Sequence, residues 1–228
     1  MYRVLSKRCF ALVFALVVGG CTQRHVTSAA SHSVVEVSPV DPNSWAAIAT
    51  DDDADRLKRL DAAWASALAE ARPRNATAIT REGALLDPAG ALTRAAPSPG
   101  QYRCRVVALG RGTDRRGPVF RAFKPQTCFV QAEEKLFVLM KATGTTLPGG
   151  RLWEDGDKRM IFLGAMADKP GAAAPAYGSD PRRDRAGVFE RVGDFRWRLV
   201  TPWQVDGPTL EVMELVPETP PPPPPPTP

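Results

Sequence analysis

The chain has 228 residues, 30 Lys+Arg against 25 Asp+Glu, a net charge of +5, and only two histidines. Both histidines, His25 and His32, fall in the polar N-terminal stretch, which excludes Ser-His-Asp and Cys-His catalysis and His-based metal sites from the rest of the chain, and no cofactor or metal is expected. Three cations (Arg3, Lys7 and Arg8) belong to the N-terminal leader; without them 27 Lys+Arg face 25 Asp+Glu, and a residue of +2 gives no case for a nucleic-acid partner.

The leader reads as a signal peptide over residues 1–20. A short basic region precedes an apolar run from Cys9 to Val18, roughly ten residues long and too short to cross a bilayer. It ends in Val18-Gly19-Gly20-Cys21, which resembles a bacterial lipobox and implies acylation of Cys21. The expected partner of that lipid is the membrane. Because Thr22 rather than an aspartate follows, the expected location is the periplasmic face of the outer membrane. Residues 21–40 read as a flexible tether, 41–217 as a single globular domain, and 218–228 as a proline-rich tail. The unbroken run Pro220 to Pro226 is expected to form a polyproline II rod of about 3.1 Å per residue, so roughly 20 Å long.

The domain opens with helix signals at about 51–72. Thr50 offers an N-cap, Asp51 to Asp53 place negative charge at the positive end of the helix dipole, and Leu57, Leu60, Trp64 and Leu68 form one apolar stripe that Pro73 is expected to stop. From 101 to 217 the pattern changes to strand. Tyr102, Cys104 and Val106 alternate with Arg103 and Arg105; Phe195, Trp197 and Leu199 alternate with Arg196 and Arg198. Further strands are expected at 118–124, 127–132, 135–141, 150–154, 159–164, 186–192 and 209–216. Turns are expected at Gly110 to Gly117, Glu133-Glu134, Gly149-Gly150, Asp155-Gly156-Asp157 and Gly193-Asp194. The fold class is α+β, mainly β: an N-terminal helix packed on an antiparallel meander. That meander is a closed or nearly closed barrel of about eight strands, with an open curved sheet as the alternative.

Cys9 leaves with the leader and Cys21 takes the lipid, so Cys104 and Cys128 remain as an even pair in an oxidising compartment and read as a disulfide. The candidate site is built from Arg103, Arg105, Arg196, Arg198 and Glu214. Glu214 shares a face with Leu210 and Val212 and is expected to point inward, where it needs an arginine partner. If the first and late strands are neighbours, two arginines form a bidentate receiver for a carboxylate or phosphate. Tyr177 and Arg183, from the long Gly/Ala/Pro-rich segment between Ala165 and Ala186, would close over it. The plainer reading is an outer face of solvated arginines with Glu211 and Glu190. No catalytic residue is identified. Glu154, Asp155 and Asp157 beside Trp153 resemble a glycosidase pair, but a hairpin turn around Gly156 explains them more simply.

Taken together, Trp45, the Asp55-to-Trp64 helix, Glu82-Gly83-Ala84-Leu85-Leu86-Asp87-Pro88 and Tyr102-Arg103-Cys104-Arg105 resemble an uncharacterised bacterial envelope family, the domain of unknown function numbered 4893. Phe162-Leu163-Gly164, Tyr177-Gly178-x-Asp180, Arg183-Asp184, Arg196-Trp197-Arg198-Leu199-Val200 and Glu214-Leu215-x-Pro217 extend the resemblance over nearly all of 41–217. It implies a small exported domain with no assigned activity. The chain departs from the family pattern at Thr143-Gly144-Thr145-Thr146-Leu147 and around Gln204 to Gly207. The expected function is a non-catalytic binding module for an envelope protein or a small anionic ligand. The alternative is a carboxylate/arginine hydrolase acting on an envelope polymer.

Overall fold

The computed structural model of the chain describes residues 43–113 and 115–218. The leader, Cys21, the tether before Asn43 and the proline run lie outside the described residues. A short helix α1 (Trp45–Ile48) leads into α2 (Asp51–Lys58) and α3 (Leu60–Glu82). Thr50 caps α2: its Oγ1 accepts from the Asp53 N–H at 3.3 Å and donates to the Asp53 carboxylate at 3.2 Å, which explains the acidic run by capping. Leu57, Leu60, Trp64 and Leu68 are buried as one stripe.

Pro73 does not stop the helix. It lacks the N–H that would reach back to residue 69, and the strain surfaces two residues later as a kink at Asn75 (φ −132°, ψ 21°). The Asn75 side chain donates to the Ala71 carbonyl at 3.1 Å, which satisfies a backbone acceptor at the break. Burial of Ile79 and of Leu85 and Leu86 in the following 3-10 turn (Gly83–Leu86) keeps the second segment on the barrel.

Among the described residues nine strands follow: β1 (Gly100–Leu109), β2 (Phe120–Ala122), β3 (Gln126–Glu133), β4 (Leu136–Lys141), β5 (Pro148–Glu154), β6 (Arg159–Met166), β7 (Asp184–Gly193), β8 (Arg196–Pro202) and β9 (Leu210–Pro217). All pairs are antiparallel. β9 returns to β1, from Tyr102 opposite Pro217 to Leu109 opposite Leu210, and closes an eight-stranded barrel. β2 is the extra strand. It lies on the same edge of β1 as β3, taking Val107 to Leu109 where β3 takes Gly100 to Cys104. The expected mainly-β barrel with a packed N-terminal helix is what the chain forms.

The core has two layers. Inside the barrel lie Tyr102, Phe162, Phe189, Trp197, Leu199 and Met213 with the Cys104–Cys128 disulfide, which crosses from β1 to β3 over a sequence separation of 24. Side chains fill an eight-stranded barrel of this kind. Tyr102 and Trp197 meet edge to face at 6.0 Å. The Tyr102 hydroxyl donates to the Ser98 carbonyl, and burial pushes it up to about 12. The second layer lies between the barrel exterior and the helices, where Val107, Leu109, Ile161, Val188, Val200 and Val212 meet the α2–α3 stripe.

One turn assignment and one strand assignment move. Gly149 and Gly150 sit inside β5, not at a turn. A Cβ at Gly150 would come within 2.4 Å of the Gly164 Cα and the Leu163 carbonyl, so these glycines allow β5 and β6 to approach closely. Phe195 belongs to the β7–β8 turn, 49% exposed, and does not share the inner face of Trp197 and Leu199.

Candidate functional site

Arg103 and Arg105 share the face of Val107 and Leu109, Arg196 and Arg198 that of Val200, and Glu214 that of Leu210 and Val212. All of these lie on the outside of the barrel. Glu214 therefore points outward, contrary to the expectation of an inward carboxylate. The inner residues of β9 are Glu211, Met213 and Leu215. Leu210 and Val212 did not mark the lumen, because the helices bury the outer face as thoroughly as the inner one.

Closure brings Arg105, Glu214 and Arg198 into register across β1, β9 and β8. Glu214 accepts from Arg105 Nε at 2.8 Å and from Arg196 Nε at 2.5 Å. Arg105 turns the rest of its guanidinium toward the end of α3, donating Nη1 and Nη2 to the two Glu82 oxygens at 2.9 and 2.6 Å. Arg198 is 0% exposed. It pairs with Glu190 at 2.7 Å and donates Nη1 to the carbonyls of Ala84 (3.1 Å), Leu85 (3.1 Å) and Asp87 (2.6 Å), with its guanidinium 5.1 Å from the Trp64 ring centre. Hydrogen bonding to Glu82 and then Glu214 holds Arg105 more firmly protonated than an ordinary arginine. Three arginines thus balance three glutamates. A carboxylate is received bidentately, as the sequence suggested, but it is Glu82 from the chain itself. The arrangement clamps the end of α3 and its 3-10 turn onto the barrel. Arg103 lies apart from it, exposed on β1.

The long loop between β6 and β7 folds back onto the helices. The Tyr177 hydroxyl donates to Asp53 Oδ2 at 2.6 Å and accepts from the Thr50 N–H at 3.1 Å; burial, then the Asp53 carboxylate, pushes it up to about 12. Arg183 donates Nε and Nη2 to the Met166 carbonyl and pairs with Asp168 at 3.0 Å. Asp184 accepts from the Gly178 N–H at 3.0 Å, and burial pushes its carboxyl up. Tyr177 and Arg183 therefore anchor the loop and share no partner with the Arg105–Glu82 cluster. Between this loop and the outer face of β4–β6 lies a groove of about 530 Å³, lined chiefly by Ile48, Val138, Met140, Trp153, Leu163 and the segment Ala173 to Tyr177. At its rim Arg151 holds Glu133 bidentately at 2.6 and 2.9 Å, which keeps the Glu133 carboxyl below its usual range.

A second charged group was not foreseen in the sequence: Lys141, Arg185 and Glu211 lie at one end of the lumen, Glu211 turned inward where the plainer sequence reading puts it on a solvated outer face. Lys141 donates to the carbonyls of Thr143 (3.0 Å) and Thr146 (2.5 Å), and burial lowers its pKa. Burial also lowers Arg185, whose Nε is buried without a partner. Glu211 is raised by burial, against the opposing pull of Arg185 and Lys141. The hollow beside Arg185 and Glu211 is about 10 Å³, room for a water and no larger ligand. The available signal was alternation, since Glu211 shares a face with Met213 and Leu215, and Lys141 with Leu139.

Trp45 donates its indole N–H to Asp155 at 3.1 Å, Asp155 also takes Arg159, and Asp157 accepts from the Arg94 N–H at 3.3 Å, so these two turn acids are engaged structurally. The family model for a domain of unknown function, DUF4893, matches residues 45–215. The chain belongs to this family. The match runs from Trp45 into β9 and so covers the helices, the closed barrel and the Glu82–Arg105–Glu214 clamp that makes the DUF4893 domain one unit. No curated protein and no solved structure matches the chain.

Proposed function

We propose that the chain is a lipid-anchored lipoprotein of the bacterial envelope, held through Cys21 at the periplasmic face of the outer membrane. Its DUF4893 domain then acts as a non-catalytic binding module for another envelope protein. The observation that carries the binding reading is the groove between the Ala173–Tyr177 segment and β4–β6. Its walls are mainly apolar, and its rim pair, Arg151 with Glu133, neutralises itself. Charge does not recruit a small anion there, and the arginine pair that would have done so is filled by Glu82. The fitting occupant is an extended apolar segment of a protein.

The test is site-specific photo-crosslinking in intact cells from position 138, with position 158, exposed in the β5–β6 turn, as control. The reading expects one adduct of defined mass from 138, none from 158, and loss of the adduct when Ala173→Trp fills the groove. An adduct indifferent to Ala173→Trp, or equal from both positions, overturns it. Anchoring is read separately: the chain partitions into detergent with its membrane fraction and Cys21→Ser releases it.

A further inference from the structure

Charge is unevenly placed along this chain. Between Arg111 and Lys124 the sequence holds five cations (Arg111, Arg115, Arg116, Arg121 and Lys124) and one carboxylate, Asp114, a net of +4. Elsewhere beyond the leader, 22 Lys+Arg face 24 Asp+Glu, a net of −2. The positive charge of the exported chain is therefore concentrated in the β1–β2 loop, β2 and the connection to β3.

Arg111 is spent internally, on Glu70 at 2.5 Å. Arg115, Arg116, Arg121 and Lys124 are exposed. One apolar side chain projects among them and a second stands on the neighbouring loop. Phe123 is 41% exposed with the Arg121 guanidinium 5.5 Å from its ring centre, and its backbone N–H is fixed to the Val106 carbonyl at 2.9 Å. Val205, 44% exposed, stands on the β8–β9 loop, which Thr113 and Gly207 tie to the β1–β2 loop through hydrogen bonds of 3.1 and 3.2 Å. Asp206 is the acid of that neighbouring loop. Among the described residues β2 pairs with β1 alone.

We propose that the β1–β2 loop, β2 and the β2–β3 connection form a surface that docks on anionic phospholipid headgroups and lays the barrel against the membrane. Cations supply attraction to the headgroup phosphates, while Phe123 and Val205 enter the interface between headgroup and acyl chain. This combination fits a lipid surface, where the cations meet phosphates and both the aromatic and the aliphatic tip enter the interface; an acidic protein or a nucleic acid is the competing outcome that the test below separates. The inference extends the anchoring reading but is tested without it.

The experiment is vesicle co-sedimentation of the chain from Thr22 to Pro228, which lacks the leader and the acylation site and keeps every described residue, including both core layers and the disulfide. The vesicles contain either phosphatidylcholine alone or phosphatidylcholine with 30 mol% phosphatidylglycerol. The expected result is binding to the anionic vesicles that weakens with salt and is absent from the neutral ones. Arg121→Gln with Lys124→Gln should weaken it about thirtyfold, at about fivefold per cation. Phe123→Ala should weaken it without changing the salt slope, while Lys158→Gln with Lys169→Gln should leave it unchanged. Equal binding to both vesicle types, no binding at 50 mM salt, insensitivity to the Arg121/Lys124 pair, or comparable affinity for polyglutamate or duplex DNA overturns the proposal. Failure of the anchor is distinguishable, because it appears as unchanged detergent partitioning in Cys21→Ser while vesicle binding persists.

Discussion

Replacing Arg198 by Met should cost about 4 kcal/mol of folding stability, and the figure can be worked from its surroundings. Met keeps most of the side-chain volume, so packing loss is minor. Electrostatics then decide. The guanidinium is fully buried, pairs with Glu190, and gives one nitrogen to three carbonyls of the 3-10 turn and the residue after it. Removing it leaves Glu190, only 12% exposed, without its partner and the carbonyls without their donor. Breaking one partner out of a buried pair costs about 3–5 kcal/mol. With a urea dependence of about 2 kcal/mol/M, the midpoint should fall by about 2 M, followed by circular dichroism with the disulfide intact. Adding Glu190→Gln removes the orphaned charge and should restore about half the loss, a coupling of about 2 kcal/mol. A loss below about 1 kcal/mol in the single variant, or no recovery in the double, refutes the view that Arg198 is a structural clamp.

Three further outcomes are expected. Reduction or Cys104→Ala with Cys128→Ala should lower stability by about 3 kcal/mol, read by thermal melting, and the disulfide, with both cysteines fully buried, should resist reductant, and so alkylation of the released thiols, until the domain is unfolded. Tyr177→Phe should remove the bond to Asp53 and the acceptor for the Thr50 N–H, so that trypsin cuts faster at Arg182 and Arg183 while the global melting temperature moves by only a few degrees. Asp184 is 2% exposed and its folded carboxyl is raised by burial above the ordinary 3.8. A raised folded pKa contributes stability below the unfolded value and loses it as pH rises through the folded one. Asp184→Asn, which keeps an acceptor for the Gly178 N–H, should therefore melt higher than the parent at pH 7 and lose that advantage below about pH 3.8; a deficit at pH 7 refutes the assignment.

The barrel was legible because alternation survives in strands such as Tyr102-Arg103-Cys104-Arg105 and Arg196-Trp197-Arg198-Leu199, and short turns punctuate the more continuous apolar runs between them. Which face was inside was harder to read. A period of two separates two faces but does not say which is the lumen, and here helices bury the outer face, so Leu210 and Val212 look like lumen residues. The same burial hid the role of the arginines. Their pairing with an acid was foreseeable, but the acid that fills Arg105 is Glu82, 23 residues earlier on α3, and no local pattern announces it. Gly149-Gly150 reads as a turn in one dimension; only the approach of Gly164 shows why it lies in a strand. The apolar groove was invisible for a similar reason, since its walls come from β4–β6 and a loop that returns to α2 through Tyr177.

The arginines on β1 and β8 have a consequence for how this sequence specifies one barrel. Closure depends on β1 meeting β9, strands whose pairing spans 109 residues in Arg105–Glu214, and such long-range pairing is where register errors are cheapest. A slip of one residue at that seam turns Arg103 and Arg105 into a lumen already filled by Tyr102, Phe162 and Trp197, leaving guanidiniums buried against apolar side chains at a cost of several kcal/mol. In the native register the same residues meet Glu214, and through it Arg196, while Glu82 fastens the helical layer across the seam. β1 is thus held on one edge from inside by the disulfide to β3 and on the other from outside by the ion cluster to β9. The clamp specifies register and orientation as much as it adds stability.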